Sequence, residues 1–244
     1  MRSFLVALQF LTRLPVPVKG NIEERHIRGS LPYYPLVGLI LGVCLLPLYA
    51  LFSALETDYN LSAAMVLTAW VFLSGALHLD GLADSADAWI GGLGDKQRTL
   101  DIMKDPTCGP AAVIALVLVL LLKFSALQIL LAKDLWLWLL FTPMLARACI
   151  PVLFLTTPYA RSSGLGHALT DPSPLPNWSV VIAVLALLIV TTLGTGVVAI
   201  FVTTLVFLLL RFLMLQRIHG STGDTAGALI EWVEASVLIA VAAF

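Results

Sequence analysis

Two stretches of this 244-residue chain, residues 29–55 and 172–210, contain no charged side chain. A helix needs roughly 20 apolar residues to cross the hydrocarbon layer, where each backbone polar group must find its partner within the protein. The second stretch is too long for one helix, and the Gly-Thr-Gly sequence at 194–196 divides it into a tight pair. These stretches predict an integral membrane protein with several spans.

The composition excludes other classes of protein. Hydrophobic residues make up 59% of the chain and charged residues 12%, with a net charge of −1. Soluble domains contain about 45–50% apolar residues even when Gly is counted, so a soluble fold would lack polar surface here. The near-neutral charge excludes electrostatic binding of nucleic acid. Cys44, Cys108 and Cys149 lie far apart, which indicates neither a disulfide framework nor a zinc site.

We predict an all-α helical bundle with six to seven transmembrane helices, forming a single domain over residues 1–244. A short interfacial helix is expected at 3–13. The expected spans are 34–55, 61–79, 109–132, 135–155 and two within 172–210, followed by a segment at 232–244 that is short for a complete crossing. Two of these spans contain a basic residue, Lys123 and Arg147. We expect Lys123 to extend its ammonium group toward the far surface.

The basic residues indicate the orientation. This arrangement places the connections 1–33, 80–108, 157–177 and 211–231 on one side of the membrane. They contain Arg2, Arg13, Lys19, Arg25, Arg28, Lys96, Arg98, Lys104, Arg161, Arg211 and Arg217, whereas the opposite side has only Lys133. Basic loops stay in the cytoplasm, so the long connections are expected there. The opposite turns are short, so we expect the functional site on the cytoplasmic side.

A cluster of aspartates follows the second predicted span. Asp80, Asp84 and Asp87 have the spacing i, i+4, i+7, which places them on one helix face. Like charges at this spacing destabilise a helix, and desolvation near a membrane adds to the cost. A bound divalent cation relieves both effects, and oxygen ligands without a Cys or His cluster favour Mg²⁺. A solvated helix face is the alternative. The adjacent His78 suits either a structural imidazole or a substrate contact.

Three Gly-rich stretches are expected on the same side, at 104–110, 161–167 and 219–227. Glycines allow backbone N–H groups to approach an anion, and helix N-termini attract phosphate. Each stretch alone would be interpreted as a loop, but the three together with the basic residues indicate a phosphorylated ligand. The candidate substrate-binding residues are His78, Lys104, Arg147, Arg161, Gly164, Gly166, Thr222 and Gly223. A charge inside a span usually has a partner, so Arg147 could instead form an ion pair with an aspartate.

The chain resembles the adenosylcobinamide-GDP ribazoletransferase family, also called cobalamin-5′-phosphate synthase. The matching segments occur in order over nearly the whole chain. They are residues 10–17, 78–87, 102–105 with Gly109, 160–161 with 164–166, and 220–224 with 227–228.

The resemblance implies a Mg²⁺-dependent enzyme of the cytoplasmic (inner) membrane. Its substrates would be adenosylcobinamide-GDP and α-ribazole or α-ribazole 5′-phosphate. The 3′-hydroxyl of the ribazole would attack the phosphorus linked to cobinamide, and GMP would leave. The same resemblance implies catalytic Asp80, Asp84 and Asp87 as metal ligands, with Asp105 and Asp224 as additions. Membrane lipids would surround the protein, and a homo-oligomer is compatible with the sequence.

Two rival functions match parts of this pattern. A CDP-alcohol phosphotransferase-like enzyme would match Asp84 and Asp87, then Asp101 and Asp105, but the signature of that family needs a longer separation and an Ala-Arg pair. A transporter would place its acidic residues at mid-span in matched halves, whereas these acidic residues lie at the ends of spans. The sequence therefore favours the ribazole transferase.

Overall fold

The computed structural model describes residues 2–17, 20–161, 169 and 194–244. Within these ranges the chain is helical, apart from loops and one isolated bridge between Tyr159 and Ser221. The helices are α1 Arg2–Leu11, α2 Glu24–Arg28, α3 Tyr34–Ala54, α4 Tyr59–Ser74, α5 Leu77–Gly91, α6 Lys96–Ile102, α7 Pro110–Ala132, α8 Leu137–Thr156, α9 Gly196–Ile218 and α10 Gly223–Ala243. A 3₁₀ turn, Leu31–Tyr33, leads into α3.

The predicted class, an all-α membrane bundle, is confirmed. Helices α3, α7, α8, α9 and α10 are each long and apolar enough to cross a membrane. The bent pair α4–α5 makes a sixth candidate if it counts as one span. Of the pair predicted within 172–210, the second helix is α9, and the first lies outside the described residues.

The expected boundaries of the last span were wrong. We predicted a short segment beginning at residue 232, but α10 begins at Gly223 and runs for 21 residues. The prediction placed Glu231 in the connection 211–231, and a carboxylate inside a span is costly. The structure removes this objection, because Glu231 and Glu234 are buried against two basic side chains. The last helix is therefore a full-length candidate span.

The predicted span at 61–79 is also interrupted. Helix α4 ends at Ser74, and α5 continues at an angle of 87° to it. Gly75 and Ala76 both have positive φ, 66° and 54°, and this left-handed pair turns the chain. The Arg13 N–H donates to the carbonyl of Leu73 (2.7 Å), and the Arg13 side chain covers Gly75. The bend makes α5 a helix distinct from α4, so the pair is either a broken span or a re-entrant loop.

Helices α3 and α8 pack backbone to backbone. A Cβ atom on Gly38 would collide with the Pro143 carbonyl, and one on Gly42 with the Leu139 carbonyl. Small residues four apart allow this approach in membranes, where packing replaces the hydrophobic effect as the force between helices. Helix α1 covers the same bundle with its buried face of Val6, Ala7, Leu8 and Leu11, so one face of the predicted interfacial helix packs on protein.

The described helix ends fall at two opposite ends of the bundle. At one end, Tyr34, Phe154 and Gly223 line a common cavity. At the other end, Tyr49 bonds Asp134, and Lys133 donates to the Ala242 carbonyl (3.0 Å). A cavity of about 590 Å³ also lies there, at the end where we expected the turns to be too small for a functional site. We call the first the motif end, because Phe10, His78, Arg161 and Gly223, which belong to four of the segments that carry the family resemblance, line that cavity.

We predict that Gly42→Leu prevents α3 and α8 from packing. The added side chain has no space against the Leu139 backbone, so little folded protein should be recovered. Monodisperse protein after detergent extraction is the measurement. Ala50→Leu on the exposed face of α3 is the matched control and should behave as wild type. Normal yield and thermal stability of Gly42→Leu would contradict this packing.

Candidate functional site

Helix α5 crosses the start of α10 at two glycines. A Cβ on Gly81 would collide with the backbone of Asp224, and one on Gly227 would press on the backbone of His78. Helix α10 begins with Thr222 as its N-cap, whose hydroxyl accepts the Thr225 N–H at 3.2 Å. The close crossing therefore holds the N-terminus of α10 against the acidic helix.

A cavity of about 270 Å³ opens at this crossing, and we call it the site cavity. Asp80, Asp224, Arg161 and Gly223 form its polar part. Arg161 Nη2 lies 2.8 Å from Asp224 Oδ2, and both side chains remain partly exposed. A guanidinium beside the N-terminus of a long helix is suited to a phosphate group.

Arg161 is placed by a short backbone pairing. The Ala160 N–H donates to the Ser221 carbonyl, and the Ser221 N–H donates to the Pro158 carbonyl, both at 2.8 Å. The pairing also directs Tyr159 into the site cavity. Burial raises the pKa of Tyr159, although the nearby Arg161 guanidinium and the Gly223 N–H act in the opposite direction. The chain after α8 is thus fixed to the start of α10.

The three predicted aspartates share a second groove. Asp80, Asp84 and Asp87 line a space of about 330 Å³ between α5, α7 and the loop at Pro106. The predicted common helix face is therefore confirmed. Asp84 also lies within electrostatic range of Asp224, so α10 adds a fourth carboxylate to this surface. The Arg161 guanidinium opposes this negative charge at Asp84.

Asp87 has a structural task that the sequence did not reveal. Its Oδ2 accepts the Gly109 N–H at 2.5 Å, and its Oδ1 accepts the Ala112 N–H at 2.9 Å. The carboxylate therefore caps the N-terminus of α7, and a Cβ on Gly109 would collide with it. Asp87 joins α5 to α7, and the carboxylates of Asp80, Asp84 and Asp224 remain for a ligand.

The carboxylate donors suit Mg²⁺ in their chemistry, since they offer only hard oxygen atoms. As placed, however, the described His, Cys, Asp and Glu side chains include no group of three or more that could hold a metal ion. The magnesium site therefore stays a prediction. It requires side-chain rotation to bring carboxylates together.

Several predicted residues lie away from the site cavity. Lys104 and Asp105 are on an exposed loop, where hydrogen bonds from the hydroxyl and N–H of Thr107 lower the pKa of Asp105. Thr222 is buried and occupied in capping. Gly164 and Gly166 lie outside the described residues.

Arg147 lies in a buried ion-pair network together with Lys123, whose predicted position was wrong. Arg147 pairs with Glu234 rather than with an aspartate. Lys123 Nζ contacts Glu231 and Glu234, both at 2.5 Å, and lies 5.5 Å from the centre of the Trp70 ring. Lys123 is 2% exposed, so the expectation that it reaches the far surface is wrong. The carboxylates of α10 neutralise the Lys123 ammonium group inside the bundle, so its side chain does not need to extend to the membrane surface.

His78 connects this network to the site cavity. Its ring lines the cavity, and Arg147 and Lys123 lie within electrostatic range of it. Its Nε2 atom is buried without a hydrogen-bond partner in the described part of the chain.

Sequence reasoning missed Glu234 and Tyr159. For Glu234, a usable signal was the i, i+3 pair of glutamates facing two unexplained basic residues in spans.

The fold and site define a polytopic membrane protein with an acidic, arginine-containing cavity at one end of its bundle. Comparison with known proteins identifies the particular family. The chain belongs to the cobalamin-5-phosphate synthase family, whose model matches residues 3–242, and this confirms the predicted resemblance.

Relatives named adenosylcobinamide-GDP ribazoletransferase match nearly the whole chain. The protein of Pseudomonas paraeruginosa is 52% identical over 243 residues, which cover 99% of this chain and 98% of the relative. That of Pseudomonas syringae pv. syringae is 50% identical and covers 99% of both. That of Pseudomonas fluorescens is 51% identical over the full length of both chains. No solved structure matches the chain.

We predict that Arg147→Ala lowers stability, because Lys123 alone would then have to neutralise both buried carboxylates of this network, Glu231 and Glu234. Breaking a buried pair in this way costs roughly 3–5 kcal/mol. Thermal unfolding in detergent is the measurement, and Arg211→Ala is the matched control on a more exposed arginine. Adding Glu234→Gln should recover part of the loss. A fully stable but inactive Arg147→Ala protein would instead make Arg147 a substrate ligand.

Proposed function

We propose that this chain transfers ribazole onto adenosylcobinamide-GDP, forming adenosylcobalamin or its 5′-phosphate and releasing GMP. The names of the relatives that match nearly its whole length support this activity. The observation that carries it is the meeting of three motif segments at the site cavity. These segments contribute Asp80 from α5, Arg161 after α8 and Asp224 at the start of α10.

The chemistry is a substitution at phosphorus. The 3′-hydroxyl oxygen of the ribazole forms a bond to the phosphorus that carries cobinamide, and the bond from that phosphorus to GMP breaks. The proton of the hydroxyl passes to a carboxylate of the acidic surface. In phosphoryl transfer most of the rate comes from positioning and from compensating charge, and a cavity of fixed acidic and basic groups can provide both.

Arg161 serves as the phosphate contact in this proposal. Its Nη2 group is already at the cavity and pairs with Asp224, so its fork is oriented before substrate binds. The N-terminus of α10 adds its partial positive charge at Gly223. We assign the retention of the pyrophosphate to these two groups.

Asp80, Asp84 and Asp224 would hold Mg²⁺. Bound there, the ion would neutralise the pyrophosphate and polarise the attacked phosphorus. The crowding of Asp84 beside Asp80 and Asp224 supports this assignment, because like charges in close proximity favour a bound cation. Asp87 is left out because both of its oxygens cap α7.

We predict that Asp84→Asn lowers turnover on the order of 100-fold, the scale of losing one group that acts on transition-state charge. Its thermal stability should equal that of wild type. Added Mg²⁺ should raise the unfolding temperature of wild type but not that of Asp84→Asn. The measurements are GMP release from adenosylcobinamide-GDP with α-ribazole, and thermal unfolding with and without Mg²⁺.

Two aspartates serve as comparisons in the same assays. Asp101→Asn, on the exposed face of α6, should have no effect. Asp87→Ala should reduce stability by about 1 kcal/mol through loss of a helix cap. Wild-type turnover by Asp84→Asn would disprove the metal assignment, and absence of product from wild type would disprove the function.

We further propose that the motif end faces the cytoplasm from the inner membrane, as the eleven-to-one distribution of basic residues predicts. Cys108 is exposed in the loop beside the second groove and provides a natural reporter. With Cys44 and Cys149 replaced, it should resist an impermeant thiol reagent in intact cells and react after permeabilisation. Ala54→Cys, at the opposite end of the bundle, should react from outside. The reverse pattern would invert the orientation.

A further inference from the structure

The site cavity has two chemically different parts. Its polar part is described above. The remainder is a wall of apolar side chains from several helices, among them Phe10 of α1, Ile150 and Phe154 of α8, and Ile230 of α10. Phe154 and Tyr159 lie with their ring centres 6.3 Å apart at a tilt of 58°. The wall thus offers aromatic and branched aliphatic surface directly beside charged groups.

The wall has little free hydrogen-bonding capacity. The Tyr34 hydroxyl is in hydrogen-bond contact with Ser30, and the Tyr159 hydroxyl accepts the Gly223 N–H. Of the described cavity residues away from the polar part, His78 is the one with an unpartnered buried nitrogen, Nε2. A ligand in this part of the cavity must therefore be mainly apolar and need few hydrogen bonds.

The volume limits the ligand further. Pockets for drug-sized molecules measure roughly 300–1,000 Å³, so a cavity of about 270 Å³ suits a single flat ring system and not a corrinoid. Guanine also fits poorly, because its carbonyl and amino groups would be buried without partners. Among the chemical groups in the proposed reaction, the methylated benzimidazole of α-ribazole is apolar and flat, and it has one free ring nitrogen.

We infer that the apolar wall of the site cavity is the pocket for the benzimidazole base of the ribazole substrate, with Ile230 limiting its size. The inference rests on the proposed function. With the base against Ile230 and Phe154, the attached ribose lies toward Asp80 and Arg161, where its hydroxyl meets the phosphorus. His78 provides the partner for the free ring nitrogen.

The test changes the volume at position 230. Ile230→Phe should raise the KM for α-ribazole about tenfold, since a change of one methylene in a hydrophobic pocket already alters substrate discrimination about tenfold. Its KM for an analogue without the two ring methyl groups should rise less, and its KM for adenosylcobinamide-GDP should not change. Ile230→Ala should fold even if Ile230→Phe does not. Because it widens the pocket, its KM values for α-ribazole and for the analogue without the ring methyl groups should differ less than those of wild type. Ile239→Phe on the exposed face of α10 is the matched control.

The outcomes are distinct. A rise in the KM for adenosylcobinamide-GDP alone would place the other substrate in this pocket and overturn the inference. Unchanged KM values for both substrates in both variants would show that the wall packs the protein interior and does not contact either substrate, which would overturn the inference. Both results require an active wild-type enzyme, so they leave the proposed function intact. A wild-type protein that forms no product would remove the proposed function, and the pocket assignment with it.

Discussion

The buried ion pairs between α10 and its neighbours are the interaction on which the architecture depends. Lys123 and Arg147 bring two positive charges into spans, and the two negative charges of Glu231 and Glu234 neutralise them. An uncompensated charge in the hydrocarbon layer is costly, so neither α7 nor α8 can occupy its position stably without α10. Apolar packing alone would leave the rotation of α10 weakly determined, because lipid tails contact its surface as favourably as another helix does. The paired charges fix that rotation.

Fixing α10 also fixes the site. Asp224 and Glu231 are seven residues apart on one helix, so the network and the cavity lie two turns apart along the same face. The glycine contacts at Gly81 and Gly227 then bring α5 to the correct depth. Asp87 extends the connection to the N-terminus of α7. A substrate at the cavity therefore meets groups whose positions are determined from inside the bundle.

The sequence predicted the helical membrane class, most spans and the shared face of the aspartates, since each depends on hydropathy or on local periodicity. It could not predict which charges meet across helices. Lys123 was assigned to the far surface and Glu231 to a connection, whereas a charge inside a span is tolerated once it is neutralised. Asp87 was predicted as a ligand because it shares a helix face with Asp80 and Asp84, and its capping partner Ala112 is 25 residues away.

The bend after Ser74 has a consequence for the membrane itself. Helix α4 has 16 residues and is about 24 Å long at 1.5 Å per residue, whereas the hydrocarbon layer is roughly 30 Å thick. If α4 crosses the membrane, either the lipid thins around it or α5 lies below the level of the headgroups. In the first case the aspartate helix has the depth of the headgroups, and in the second it lies within the edge of the hydrocarbon layer. At either depth, the water that reaches the aspartates would be set by the lipids as well as by the protein.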